Sequence, residues 1–194
     1  MVKRTMLTSE IIEKLTEKIR SISEEQDANA AVAIILKPTA KDTEILLVKR
    51  TKRSSDTWSG QMALPGGKHE VKDLNLKETV SRETLEETCI DLNRCVFLGT
   101  LKAVRSRPRP ELLVLPFVVQ LKYDPEICLS ENELDEYLWV PFEMLKKSSN
   151  IVRVGSSMKS AFVLGHAVVW GMTYQILTDF IEIVESIKKG NFKI

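Results

Sequence analysis

Residues 63–92 read ALPGGKHEVKDLNLKETVSRETLEETCIDL, and the rest of the chain is organised around them. The stretch opens with Pro65-Gly66-Gly67, crosses a polar loop and becomes a glutamate-rich helix expected from about Asn75 to Thr88. Residues three and four apart share a helical face, so Glu83, Glu86 and Glu87 are expected to project together. Like charges so placed repel one another. Arg82 can answer Glu78 or Glu86 at one-turn spacing, but one guanidinium does not neutralise the cluster. A hard divalent cation with oxygen ligands does. An ordinary solvated face is the better account of Glu86-Glu87 taken alone. The preceding glycines add a second element, because Gly66 and Gly67 let a backbone carbonyl or amide approach a ligand closely.

At these residues the chain resembles the Nudix hydrolases. The family box runs from Gly67 through Asp73 to Arg82-Glu83-Thr84-Leu85-Glu86-Glu87-Thr88-Cys89-Ile90. Three positions depart from it. Asp73 stands for the usual Glu and lies one residue further from the arginine. Thr84 takes an aliphatic position, and Cys89 takes the place of a helix-ending glycine. No carboxylate of the acidic cluster is lost. The resemblance implies an α/β fold, an α/β/α sandwich with a mixed sheet. It also implies a Mg²⁺ or Mn²⁺ site made by Glu83, Glu86 and Glu87 with the Gly67 carbonyl. Glu83 either ligates or acts as base, Arg82 orients the glutamates, and Asp73 supports the loop.

At 194 residues the chain is expected to be a single domain, with residues 1–27 a helical extension and 168–189 a C-terminal helix. Charge is nearly balanced, 28 basic against 27 acidic residues, which gives no global electrostatic case for nucleic-acid binding. No window has the apolar length of a membrane span, and the N-terminus lacks a signal-peptide core, so the chain reads as cytoplasmic. Cys89, Cys95 and Cys128 are odd in number and without CxxC spacing, which reads as buried reduced thiols.

Thr8 to Glu25 has helical apolar spacing and reads as a packing extension or part of a homodimer surface, packing being favoured. Ala30 to Leu36 and Ile45 to Lys49 read as a strand hairpin, Gln61 to Leu64 as a strand entering the glycine turn. Val96 to Val104, Leu112 to Leu121 and Tyr137 to Val140 read as further strands. Lys49, Arg50, Lys52 and Arg53 form a basic patch leading toward the turn, a phosphate contact or a solubilising surface. Arg105, Arg107 and Arg109 lie on a proline-stiffened connection suited to phosphate recognition or to plain exposure. Glu133 and Glu136 sit in an acidic segment that supplies a supporting acid in similar proteins. Residues 151–166 read as a loop with a short hairpin, and Val168 to Ile187 as a helix whose apolar stripe includes Trp170.

The activity implied is metal-dependent cleavage of a pyrophosphate in a nucleoside diphosphate linked to another group. The long box spacing, Leu46-Leu47-x-x-Arg50, Gly60-Gln61 and Trp170-Gly171-x-Thr173 resemble the coenzyme A pyrophosphatase branch. Leu64 in place of Phe, and the Arg50 to Gly60 interval, depart from it. ADP-ribose, dinucleotides and nucleoside triphosphates are the alternative substrates. A catalytically silent nucleotide- or RNA-binding module is the alternative of another class.

Overall fold

The run AAVAIIL has no polar face to offer water, and the structure buries it at the centre of a sheet. In the computed structural model, described over residues 9–21, 27–52 and 59–190, it forms β1 (Ala30–Pro38). β2 (Thr43–Arg50) returns antiparallel to it, with Thr39 N donating to the Asp42 carbonyl at 2.8 Å across the turn. The remaining strands of this sheet are β3 (Met62–Ala63), β4 (Gly66–Lys68), β5 (Val96–Thr100), β6 (Val104–Arg105), β7 (Leu113–Gln120) and β8 (Leu134–Pro141). Their order is β3-β2-β1-β7-β5, with β4 on β1, β6 on β7 and β8 on β2. β1 and β7 run parallel and the other pairs antiparallel, so the sheet is mixed.

Strand alternation sends neighbouring residues to opposite faces. Ile35, Leu46 and Val48 meet Val80 of α2 (Leu76–Thr88) and Ile90 on one face. Ile34, Leu36, Ile45 and Leu47 meet Leu15 of α1 (Ser9–Lys18) and Leu177 and Phe180 of α4 (Gly171–Gly190) on the other. α3 (Phe142–Lys147) follows β8 directly. Helices therefore cover both faces of a mixed sheet, the α/β arrangement expected. No helix among the described residues is long and apolar enough to cross a membrane.

Several boundaries differ from expectation. α1 ends at Lys18 rather than Glu25, and Arg20 then exchanges backbone hydrogen bonds of 3.0 Å with Thr100. Its apolar residues Ile11, Leu15 and Ile19 are buried, so this segment packs on the core. Thr8, the expected first residue of this segment, lies outside the described residues. The strand expected over 96–104 is split into β5 and β6, and the glycine turn continues as a strand, β4, on β1.

The largest correction is at 149–170. These residues form a second, three-stranded sheet: β9 (Ser149–Val154), β10 (Ser157–Leu164) and β11 (Ala167–Trp170). Two-residue turns join them, with Gly155 at φ 59° and Gly165 at φ 63°, the left-handed geometry that tight hairpins require. Val168 and Trp170 pair with Val163 and Ala161. They belong to β11, and α4 begins only at Gly171.

Candidate active site

β4 and α2 build the site between them. Asn75 caps α2, its side chain accepting from Glu78 N at 3.0 Å, while Glu78 accepts from Leu74 N at 2.7 Å. This reciprocal arrangement satisfies orphan amides of the first turn. Gly66 sits at φ 134°, and a β-carbon added there would collide with the backbone of Ala31 and Val32, so a side chain has no room. A β-carbon on Gly67 would run into the Glu83 carboxylate. The glycines thus let β4 lie directly beneath the acidic helix.

Arg82 is the hub. Its Nε and Nη2 each donate to an oxygen of Asp73 at 2.9 Å, a two-pronged contact. Nη1 donates to Glu83 at 2.9 Å and to Glu86 at 3.2 Å. The guanidinium beside it holds the Asp73 carboxyl well below the usual carboxylate range, although burial opposes this. Asp73 also accepts from Thr79 Oγ1 and Glu70 N, each at 3.0 Å. Asp73 therefore reaches the arginine despite its displaced position in the box. It fixes Arg82, and Arg82 fixes Glu83 and Glu86.

The three glutamates differ in exposure. Glu86 is exposed, with 54% of its side chain accessible. Glu83 is half-buried against Gly67, and burial pushes its carboxyl up against the opposing pull of Arg82. Glu87 is buried at 3% exposure and accepts from Gly66 N at 2.9 Å. Burial pushes it up to about 8, with Glu83 and Glu133 adding repulsion and Gly66 and Arg50 opposing. Adjacent helical residues lie about 100° apart around the axis, so Glu87 faces the sheet beside Thr84, Thr88 and Val80, all fully buried, while Glu86 faces outward.

Among the described residues no three carboxylate, imidazole or thiol groups converge tightly enough to form a metal cage. Arg82 Nη1 lies between Glu83 and Glu86, where it holds both. The donor set nevertheless fits a hard dication. It is all oxygen, and two of its carboxylates are desolvated with fewer positive partners than negative ones.

The other candidates separate. Glu133 stands close enough to raise both Glu83 and Glu87, and its carbonyl accepts from Thr51 N at 2.9 Å. Glu136 does not join them: β8 pairs it with Lys49, and its carboxylate accepts from Lys49 at 3.3 Å and contacts His166 Nε2 at 2.6 Å. Arg50 acts electrostatically on Glu87, while its neighbour Lys49 turns to the other face. Arg53 lies outside the described residues. Arg105 donates to the Pro110 carbonyl of its own loop. That loop and exposed Arg107 stand at the sheet end where Asn29 accepts from His69 N and donates to the Glu111 carbonyl.

The cysteine expectation is overturned for two of the three. Cys89 and Cys128 form a disulfide with Cα atoms 5.5 Å apart, and Cys95 is the free thiol. Cys89 caps α2 at φ 62°, filling the left-handed position usually held by glycine. The segment carrying Cys128 covers the last turn: Cys128 N donates to Thr88 O at 3.3 Å and Ser130 N to Glu87 O at 3.1 Å.

Thr84, the polar residue at an aliphatic position of the box, is fully buried, and its hydroxyl has no hydrogen-bond partner among the described residues. Thr84→Val keeps the shape and removes the unsatisfied hydroxyl. It is expected to raise unfolding free energy by about 1 kcal/mol in urea titrations. A destabilised variant would contradict the assignment.

Helices on both faces of a mixed sheet, with a glycine turn under a glutamate-rich helix, place the chain within a known architecture. The sequence profile of the NUDIX domain matches residues 28–157, and the chain belongs to the Nudix family. An uncharacterized Nudix hydrolase, NudL, of Photorhabdus laumondii is 29% identical over 167 residues, covering 82% of this chain and 87% of that one. Nudix hydrolase 15, mitochondrial, of Arabidopsis thaliana is 31% identical over 143 residues, 69% of this chain and 48% of that one. An uncharacterized protein of Schizosaccharomyces pombe is 37% identical over 121 residues, and the chain spans 37% of its length. Among solved structures, the Nudix domain of Shewanella oneidensis NrtR complexed with ADP ribose superposes with TM-score 0.53 at 14% identity. That match covers 90% of this chain and 96% of that one. A MutT protein from Methanosarcina mazei superposes with TM-score 0.51 at 22% identity, covering 87% and 100%. At these identities the likeness is one of fold.

Proposed function

We propose that this chain is a divalent-metal-dependent pyrophosphohydrolase acting on a nucleoside diphosphate linked to another group, coenzyme A being the leading substrate. The carrying observation is the Asp73–Arg82 clamp, which fixes Glu83 and Glu86 above a glycine turn that itself binds Glu87. The Nudix hydrolases among its relatives support the reaction class.

A pyrophosphate is densely anionic, so water meets a shielded phosphorus and must be activated and aimed. Glu83, Glu86 and Glu87 would hold Mg²⁺ or Mn²⁺, with the Gly67 carbonyl as a further oxygen. The ion would neutralise phosphate charge and acidify a water. The chain's own contribution is placement. Arg82 keeps Glu83 and Glu86 in position, and Glu83, half-buried with a raised pKa, suits a base. Arg50, whose charge reaches Glu87, would meet phosphate oxygens.

Coenzyme A is favoured by the residues that resemble its pyrophosphatases. Gly60 and Gln61 line one cavity with Trp170, which is distant from them in sequence. The test is product identification by mass spectrometry. The protein is incubated with coenzyme A, ADP-ribose, NADH, diadenosine polyphosphates and nucleoside triphosphates, with Mg²⁺, Mn²⁺ or EDTA. The expected products are 4′-phosphopantetheine and 3′,5′-ADP from coenzyme A, absent in EDTA. Cleavage of another compound in preference replaces the substrate, and metal-dependent cleavage of none overturns the hydrolase reading.

A further inference from the structure

A cavity of about 410 Å³ lies between the edge of the main sheet and the second sheet. Its walls include Lys49, Gln61, Glu136, Arg153, His166 and Trp170. Lys49 follows Leu47 by two residues, so it shares the α4 face of the sheet, opposite α2. The cavity is therefore separate from the glutamate cluster.

We propose that this cavity binds an organic phosphate, its phosphomonoester held by Arg153 and Lys49 and its planar ring set against Trp170. This rests on the pyrophosphohydrolase reading and assigns the ligand as the phosphomonoester-bearing nucleoside of the substrate.

The charge balance argues for an anion. Two fixed cations, Lys49 and Arg153, face one carboxylate, Glu136, which Lys49 and His166 already engage. Arg153 is exposed, and its guanidinium has no ion-pair or hydrogen-bond partner among the described residues. A guanidinium offers the forked donor geometry that phosphate matches. Trp170 is only partly buried, and its register on β11 places it in the cavity wall rather than on the apolar stripe of α4. The volume falls within the range of small-molecule sites, and Trp170 supplies an aromatic wall among the charged groups.

The cavity also connects to the glutamates. Lys49 and Arg50 are adjacent on β2, one lining the cavity and the other acting on Glu87. Met62 lines the cavity, and four residues later Gly66 donates to Glu87. A molecule with its pyrophosphate at the glutamates and a second phosphate in the cavity would straddle the short edge strand β3. That requires a substrate bearing a phosphomonoester in addition to its scissile pyrophosphate.

The test has two arms. In EDTA, where no turnover occurs, 3′,5′-ADP is titrated calorimetrically into the wild-type chain and into Arg153→Ala, Trp170→Leu and Lys159→Ala. Lys159 is an exposed residue of β10 outside the cavity. Binding is expected to weaken roughly tenfold or more in the Arg153 and Trp170 variants and to stay unchanged in the Lys159 variant. 5′-AMP, which lacks the second phosphate, is expected to show no Arg153 dependence. Absence of 3′,5′-ADP binding, or equal binding to wild type and Arg153→Ala, overturns the proposal.

In the kinetic arm, Arg153→Ala is expected to raise KM for coenzyme A roughly tenfold with kcat retained, and to spare dephospho-coenzyme A. 3′,5′-ADP is expected to compete with coenzyme A. Non-competitive inhibition would mark a separate effector and overturn the assignment to the substrate's own end. Arg153-dependent binding in a chain that hydrolyses nothing would uphold the cavity as an organic-phosphate site and refute only the hydrolase reading.

Discussion

Glu87→Gln is expected to lower kcat about a hundred- to a thousandfold, the scale set by removing one preorganised electrostatic group from a phosphoryl-transfer site. The substitution is nearly isosteric. The glutamine carbonyl oxygen can still accept from Gly66 N, as the carboxylate does at 2.9 Å, so the β4–α2 junction stays intact. What is lost is one negative charge directed at a cation. Steady-state kinetics at limiting Mg²⁺ would check it, and wild-type turnover would remove Glu87 from the metal set. A stability signature accompanies the kinetic one. The Glu87 carboxyl rises from 4.5 to about 8 in the folded chain because burial disfavours its charge. Between those values the folded state keeps a proton that the unfolded chain has released, so stability falls as pH rises through that window. In EDTA, Glu87→Gln should therefore gain on wild type from pH 5 toward pH 8, and show little difference below.

Gly66→Ala is expected to cost about 3 kcal/mol or more, by combining a left-handed backbone strain with overpacking. Gly66 sits at φ 134°, and an added β-carbon would meet the Ala31 carbonyl oxygen and the Val32 Cα. These are backbone atoms of the central strand, so no side-chain rotation relieves the contact. Relief would require β4 to lift from β1, breaking the Val32↔Gly66 and Ala31↔Gly67 pairing and withdrawing the amide that Glu87 accepts from. Both a lower urea midpoint and lost turnover are expected. A variant with wild-type stability would mean that β4 is not seated as described.

The box helix was legible because its signals are local. Asn75 supplies a cap and Thr88 the last helical residue, so the expected bounds match α2 within one residue. Its burial was not legible: Glu83, Glu86 and Glu87 look alike in sequence, yet only Glu87 faces the sheet. A short hairpin was legible from Gly155-Ser156 and Gly165-His166, but the third strand of the second sheet was not. Val168-Val169-Trp170 runs without a polar break into the α4 periodicity, which masked the end of β11. Pairing of Cys89 with Cys128 depends on a segment folding back across the helix end, and no spacing rule reports that. The same is true of the cavity, whose Lys49, Glu136, Arg153 and Trp170 come from four strands.

The most direct test of the glutamate site is calorimetric titration of Mn²⁺ into EDTA-stripped protein. Wild type should bind saturably, and Glu86→Gln/Glu87→Gln should lose that binding while unfolding at no lower temperature. Undiminished Mn²⁺ binding by the folded double variant would contradict the account.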